Sequence, residues 1–282
     1  MPHRTVLPRA RLASLVPGTV RPLPNAPLLV VHGAAGAPAT AVIADLHLGL
    51  AAGPQNPLGP PGNSAPDLAE AAVGLCRRAG ARRLLIAGDV KHPVVGTPPW
   101  LRPVVFDFFA TLLASGLQPE VVLGNHDVGL VRHLPREVAV HPSTGWTGDG
   151  VGVFHGHRWP SRGVLEQRTI VAGHLHPGYR FAPTAEDPVG KRRCWVRVEF
   201  GDGLRALRPD GRPSKARELV VVPAFHPLAG TESLNRERPE RGRSFLYGRF
   251  LGRGRARAYL LDGTDLGPLP TPPPVGRDER GG

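Results

Sequence analysis

The stretch LLIAGDVKH, residues 84–92, sets a pattern that recurs along the chain. Its apolar residues Leu84, Leu85 and Ile86 predict a buried strand, which ends on a glycine followed by the carboxylate of Asp89. A buried carboxylate without a partner has a large desolvation cost, so a cation is expected opposite Asp89. The residues that bind such a cation have to come from elsewhere in the chain.

Strands and helices alternate along the first half of the sequence. Apolar runs of strand length are separated by segments whose apolar residues recur at i, i+3, i+4 and i+7. This order implies βαβ crossovers and a parallel sheet. The predicted strands lie at 26–33, 39–49, 82–88 and 120–124, and the predicted helices at 68–79 and 101–113.

After residue 137 the helical pattern fades, and short strands follow one another between Gly, Pro and Asp turns. A sheet this large needs a second layer, so we predict an α/β fold, a two-sheet mixed sandwich flanked by helices. One domain is expected over 26–266. It follows an irregular basic arm at 1–25, with room for a short strand, and precedes a disordered Pro- and Gly-rich tail at 267–282.

Composition and charge narrow the function classes. No apolar run is long enough for a transmembrane helix, and the basic N-terminus is broken by prolines, so we expect a cytoplasmic protein that acts away from membranes. The two cysteines form no CxxC pair, which fits a reducing compartment. The net charge of +12 comes from three lysines and 32 arginines against 23 acidic residues, and indicates either nucleic-acid binding or a coding bias toward arginine.

Polar side chains follow five of the predicted strands directly. In an open parallel sheet, the loops beyond the carboxyl ends of the strands meet along one edge, where binding sites are built. A single histidine in such a place is usually structural, but seven of the twelve histidines lie within three residues of these strand ends. The polar residues are Asp45, His47, Asp89, Asn125, His126, Asp127, His155, His157, His174 and His176.

The residue types in this set indicate a metal site. Asp, Asn and His without Cys suit Mn²⁺, Fe²⁺, Zn²⁺, Co²⁺ or Ni²⁺. Seven ligands are too many for one ion, but two ions sharing a carboxylate would each take about four, and ions about 3.5–4 Å apart are the usual clamp for displacement at phosphorus. Because Asp45 and Asp89 offset only two of four positive charges, the site would stay cationic and suit a phosphoryl group.

The ordered motifs DLH, GDVKH, GNHD, HGH and GHLH, between Asp45 and His176, resemble those of the calcineurin-like metallophosphoesterase superfamily. The stretch VVVPAFHPLAGTESLN, residues 220–235, is similar to small prokaryotic phosphoesterases related to the DNA-exonuclease type, including those encoded beside DNA ligases and helicases. The resemblance implies a four-layer αββα fold and two divalent ions, with Mn²⁺ the first candidate. It also implies nucleic acid and DNA-repair proteins as partners.

The resemblance further implies a role for each residue. Asp89 would bridge the two ions. His126 would bind no metal; it would protonate the leaving oxygen or stabilise the phosphoryl charge, with Asp127 orienting its ring. One ion would be held by Asp45, His47 and His176, and the other by Asn125, His155 and His174.

The chain departs from the family shortly after the Gly-Asp dipeptide, where the family commonly has an acidic or amide residue. Here Lys91 and His92 follow. We interpret His92 either as a residue that contacts the substrate or supports the site, or as a loop residue packed below it. Lys91 is interpreted as a phosphate contact, as a residue that supports the site, or as a solvated side chain. His157 is interpreted either as a residue that supports the ligands or as one that contacts the substrate.

Three functions are compatible with this pattern. In the first, a phosphodiesterase, a hydroxide held between the metals attacks a nucleic-acid-type diester or a cyclic nucleotide, and His126 assists the leaving group. The second is a phosphomonoesterase acting on a small metabolite or a nucleic-acid end. The third is a non-catalytic scaffold, which the retention of all seven ligands disfavours.

Overall fold

The computed structural model describes residues 20–33, 38–184, 187, 190–201, 214–236 and 245–270. The predicted fold class is confirmed: the chain is α/β, with two open mixed sheets and helices on both outer sides. Within the described part of the chain, no helix has the length and apolarity needed to cross a bilayer.

The first sheet has six strands, and the two long helices of the first half are its crossovers. The strands are β1 (Val20–Pro22), β2 (Leu29–Val31), β3 (Ala39–Ile43), β4 (Ala81–Ala87), β5 (Gln118–Val122) and β6 (Ala139–His141), and the helices are α1 (Ala65–Ala79) and α2 (Leu101–Ala114). They lie in chain order from β1 to β6; the first three are antiparallel and β3 to β6 are parallel.

The second sheet has nine strands and is also mixed. Its elements are β7 (Trp146–Gly148), β8 (Val151–Phe154), β9 (Thr169–Ala172), β10 (Pro177–Arg180), β11 (Lys191–Glu199), β12 (Glu218–Val221), β13 (Glu232–Ser233), β14 (Arg255–Leu260) and β15 (Asp265–Pro268). The strands β8, β9 and β12 are parallel neighbours, whereas β11 runs antiparallel to β12 and β14. The short helices α3 (Arg162–Leu165) and α4 (Phe245–Arg249) cover the outer face.

Three apolar clusters correspond to the three interfaces between four layers. Successive strand residues point to opposite faces, so β4 contributes to two clusters at once. Leu84 and Ile86 pack against α1 and α2, while Leu85 and Ala87 pack against the second sheet. An entirely apolar strand is therefore required at the centre of this sandwich.

Most predicted elements are found, and the differences concern short ones. α1 begins after Ser64, whose hydroxyl accepts from the Asp67 amide at 3.3 Å, and ends at Gly80 in the left-handed region. The strands and α-helices that the pattern did not predict are β7, β10, β13, β15, α3 and α4, each of two to five residues, and two 3-10 helices, Leu130–His133 and Leu251–Arg253, were not predicted either. β1 lies within the predicted arm, and β15 extends two residues into the predicted tail; residues 1–19 and 271–282 lie outside the described residues.

The contact between the sheets can be tested at Leu85, which is fully buried between them. We expect Leu85→Ala to lower the free energy of unfolding by about 2–5 kcal/mol, because it removes methylene groups and leaves a cavity. The measurement is thermal unfolding followed by tryptophan fluorescence. Val95→Ala, at a side chain that is 90% exposed, is the matched control and should change little. Equal midpoints for the two variants would contradict the sandwich packing.

Candidate metal centre

The structure brings the predicted ligands together at one edge of the sandwich. The loops after β3, β4 and β5 come from the first sheet, and those after β8 and β9 come from the second. The Asp45 carboxylate crosses this boundary, because it accepts from the His174 amide at 3.0 Å. The site is thus assembled between the two sheets.

Asp89 lies at the centre of the site and is almost completely buried. Its Oδ1 is 3.2 Å from His155 Nε2, and its Oδ2 is 3.9 Å from His47 Nε2. His126 donates its backbone N–H to Oδ1 at 2.9 Å. The two carboxylate oxygens therefore face imidazoles of two different ligand groups.

The first group consists of Asp45, His47 and His176, whose ligand atoms all lie within 4.8 Å of one another. His176 Nε2 is 3.4 Å from Asp45 Oδ1 and 3.1 Å from His47 Nε2. His176 Nδ1 donates to the Gly230 carbonyl at 2.9 Å, which leaves the Nε2 lone pair directed at the group. This is the tautomer that a metal ligand requires.

The second group consists of Asp89, His155 and His174, also within 4.8 Å. Asn125 joins it, because its Oδ1 is 3.2 Å from His155 Nε2. His155 Nδ1 donates to the Ala87 carbonyl at 2.8 Å, so Nε2 is again the atom that faces the group. Oxygen and imidazole donors in these two groups fit divalent ions, and the grouping matches the two predicted ligand sets.

The backbone of the site is strained. Among the described residues, eight non-glycine residues have positive φ, and five of them are predicted ligands. Such a conformation costs about 1–2 kcal/mol per residue, although Asp and His tolerate it better than most. Strain of this kind collects at functional sites. The five are Asp45, His47, Asp89, His174 and His176.

Burial and mutual charge shift the pKa values of these groups. Burial lowers the pKa of His47 to about 4 and that of His174 to about 3. Burial would also lower the pKa of His155, but the Asp89 carboxylate outweighs it and raises the pKa to about 9. Burial would raise the pKa of Asp45, but the neighbouring His176 and His155 outweigh it and lower the pKa. The carboxylates are thus ionised, and a cation bound here would displace a proton from His155.

The structure corrects the role predicted for Asp127. Its buried carboxylate accepts from the amides of Val90 at 2.9 Å and Gly124 at 2.8 Å, so it joins the loops after β4 and β5 instead of orienting the His126 ring. His126 Nδ1 instead contacts the carbonyl oxygen of His92. The other ring nitrogen, Nε2, is 3.7 Å from Asp89 Oδ2 and faces the ligands.

Lys91 is neither solvated nor directed at a phosphate site, which leaves a supporting role among the interpretations of the sequence. The side chain is fully buried, and its ammonium donates to the carbonyl oxygens of Pro93, at 2.5 Å, and His126. These two hydrogen bonds satisfy a charge that would otherwise be costly to bury. Lys91 thereby fixes the backbone of His126 from below the site.

His92 and His157 lie at the borders of the ligand groups. The exposed ring of His92 stacks on His126 with centroids 5.9 Å apart, and together with His47 these rings form a third group within 4.8 Å. The ring centroid of His157 is 5.3 Å from that of His155. Both rings are close enough to affect the ligands, and His92 is the more exposed of the two.

The sequence reasoning missed His226. It follows β12, the third parallel strand of the second sheet, and is buried with its amide 3.3 Å from the Asp45 carbonyl. Its Nδ1 accepts from the Leu228 amide at 3.1 Å. The signal was present, because His226 lies five residues after Val221, the same spacing that separates His92 from Ala87.

Comparisons with known proteins give a likeness in fold. No protein-family model matches the sequence, and no curated protein is significantly similar. The crystal structure of the nuclease MPE from Pseudomonas putida has 17% sequence identity to this chain and a TM-score of 0.51, covering 88% of this chain and 100% of that one. At this identity, the likeness supports the two-sheet α/β architecture.

Close packing around Asp89 can be tested at Gly124. A Cβ added there would lie 2.2 Å from Asp89 Oδ1 and 2.3 Å from the Asp89 amide nitrogen. We expect Gly124→Ala to displace Asp89 and weaken Mn²⁺ binding in calorimetric titration at least about tenfold, in line with the cost of losing a residue that orients ligands.

Gly74→Ala is the matched control, since a Cβ there meets nothing within 4 Å and the residue lies inside α1. It should keep Mn²⁺ affinity and be equally or more stable. Unchanged Mn²⁺ affinity in Gly124→Ala would contradict the position given to Asp89.

Proposed function

We propose that this protein is a metal-dependent phosphodiesterase that hydrolyses phosphoester bonds of nucleic-acid or cyclic-nucleotide type. The observation that carries the proposal is Asp89, a buried carboxylate whose two oxygens face two separate groups of metal-ligand side chains. Two-metal centres of this kind serve displacement at phosphorus. The motifs resemble those of the calcineurin-like phosphoesterases, and a protein of similar fold is named as a nuclease, which supports hydrolysis of phosphoester bonds.

The metal ions would be divided between the two groups. Asp45, His47 and His176 would hold one ion. Asn125, His155 and His174 would hold the other, with Asp89 shared between them. When bound, the ions would polarise the phosphoryl oxygens and lower the pKa of a water molecule. Mixed oxygen and imidazole donors are compatible with Mn²⁺, Fe²⁺, Zn²⁺, Co²⁺ and Ni²⁺, and the family resemblance makes Mn²⁺ the first candidate.

We assign His126 the task of assisting the leaving group, and the positions of its two ring nitrogens support this role. In its protonated ring both nitrogens carry hydrogen, and the Nδ1 hydrogen is directed to the carbonyl oxygen of His92. The Nε2 hydrogen, on the side facing Asp89, is then the one available to the leaving oxygen. Lys91 and Asp89 hold the backbone on either side of this ring, through the carbonyl and the amide of His126 respectively.

The choice between diester and monoester can be measured directly. With Mn²⁺, we expect faster turnover of bis-p-nitrophenyl phosphate than of p-nitrophenyl phosphate, and loss of both activities with a chelator. A monoester preference would favour the phosphomonoesterase. Absence of turnover with every divalent ion would favour the scaffold.

Variants separate metal binding from proton transfer. Asp89→Ala should abolish activity and reduce the bound metal below two ions per chain, measured by elemental analysis. His126→Ala should keep both ions and lower kcat by about 10²–10⁴-fold, the usual contribution of a general acid.

His32→Ala is the matched control, since this exposed histidine follows β2, which runs antiparallel to β3 and ends at the opposite edge of the sheet. It should behave as the unmodified protein does. Full activity in Asp89→Ala would show that the ligand assignment is wrong.

A further inference from the structure

A cationic cavity of about 610 Å³ lies beside the metal centre. Its charged lining comes from Lys191, Arg192 and Arg193 at the start of β11, and from Asp262 after β14. The Asp262 carboxylate forms a local hydrogen bond, in which its Oδ1 accepts from the Thr264 amide at 2.9 Å. Three positive charges against one negative charge make this cavity suited to an anion.

The strand pairing places this cavity at the same edge as the metal ligands. β11 runs antiparallel to β12, and Val196 pairs with Val221, the last residue of β12. The residues before Val196 therefore extend past the carboxyl end of β12. The loop that carries His174 and His176 leaves the parallel neighbour β9 at this same edge.

The cavity and the first ligand group share one wall, the loop of residues 226–231. Gly230 lines the cavity, and its carbonyl accepts from His176 Nδ1 at 2.9 Å. At the start of this loop, the His226 amide donates to the Asp45 carbonyl at 3.3 Å. A group held in the cavity is thus separated from the metal ligands by the thickness of one loop.

The three cations have different tasks. Arg193 donates from Nη1 to the carbonyls of Ala224 and Phe225, at 2.9 and 3.2 Å, and so holds the segment that leads into this loop. Arg192 forms an exposed ion pair with Asp187 at 3.3 Å, of a kind that contributes little and exchanges readily. Arg192, whose ion pair is exposed, and Lys191, which lines the same cavity, are the residues that we assign to an incoming anion.

We propose that this cavity binds a second phosphate of a polynucleotide substrate, one displaced along the chain from the phosphate that is hydrolysed. This inference rests on the proposed function and specifies its substrate: a chain with several phosphates occupies both places, whereas a small diester occupies only the metal centre. We specify phosphate as the anion because the cavity offers charged hydrogen-bond donors, and only one loop separates it from the metal centre where a phosphoryl group would bind.

The test compares two double variants of equal charge. The test variant, Lys191→Glu with Arg192→Glu, reverses the charge of two residues that line the cavity. The control variant, Arg77→Glu with Arg82→Glu, reverses the charge of two exposed arginines at the end of α1 and the start of β4, at the opposite edge of the sheet. The measured quantity is the ratio of kcat/KM for a short oligodeoxynucleotide to kcat/KM for bis-p-nitrophenyl phosphate. We expect this ratio to fall about tenfold in the cavity variant and to stay unchanged in the control.

Binding without catalysis keeps this proposal separate from the proposed function. The anisotropy of a labelled oligodeoxynucleotide is titrated with protein in EDTA at several salt concentrations. The salt dependence of the affinity should lose about one unit of slope in the cavity variant, for the one phosphate contact removed, and none in the control. If the protein hydrolyses no substrate but still shows this difference in salt dependence, the proposed enzymatic function is refuted and the proposed phosphate binding in the cavity stands. Equal effects of both double variants, in either measurement, would overturn the inference.

Discussion

The buried carboxylate of Asp89 is the constraint on which the rest of this structure depends. It follows a strand that is apolar on both faces and is almost completely buried, so its charge needs partners within the protein. His155, from the second sheet, is 3.2 Å away and carries the compensating charge. Face-to-face packing of two sheets is thus both the source of the core and the means by which Asp89 meets imidazoles from distant parts of the chain.

The cost of this arrangement appears in the backbone. Five ligand residues adopt positive φ, and Gly124 leaves no space for a side chain beside Asp89. Local propensity does not favour such conformations, so they persist because the hydrogen bonds around them fix the loops. The Asp127 carboxylate and the Lys91 ammonium supply several of these bonds by joining the loops after β4 and β5. Both are buried ions whose task is to hold the ligands in place.

The sequence predicts the layers and the grouping of ligands because both follow from strand periodicity and strand ends. Leu84 and Leu85 alternate between two interfaces, and a residue after a parallel strand is bound to reach the common edge. The partners of Lys91 and Asp127 could not be predicted, since they depend on how two loops face each other across the edge. His226 lies as close to the end of β12 as His92 does to the end of β4, so its place at this edge could have been predicted from the sequence.

Mixed strand direction in the second sheet has a consequence for charge. Parallel strands deliver residues from beyond their carboxyl ends, which here are Asp- and His-containing loops. The first residues of an antiparallel strand lie at this same edge, and β11 begins with Lys191, Arg192 and Arg193. A purely parallel sheet would have placed this basic run at the far side of the molecule. The antiparallel direction of β11 therefore positions positive charge beside the metal ligands within the same domain. An extended anionic substrate would contact both the metal centre and this basic run.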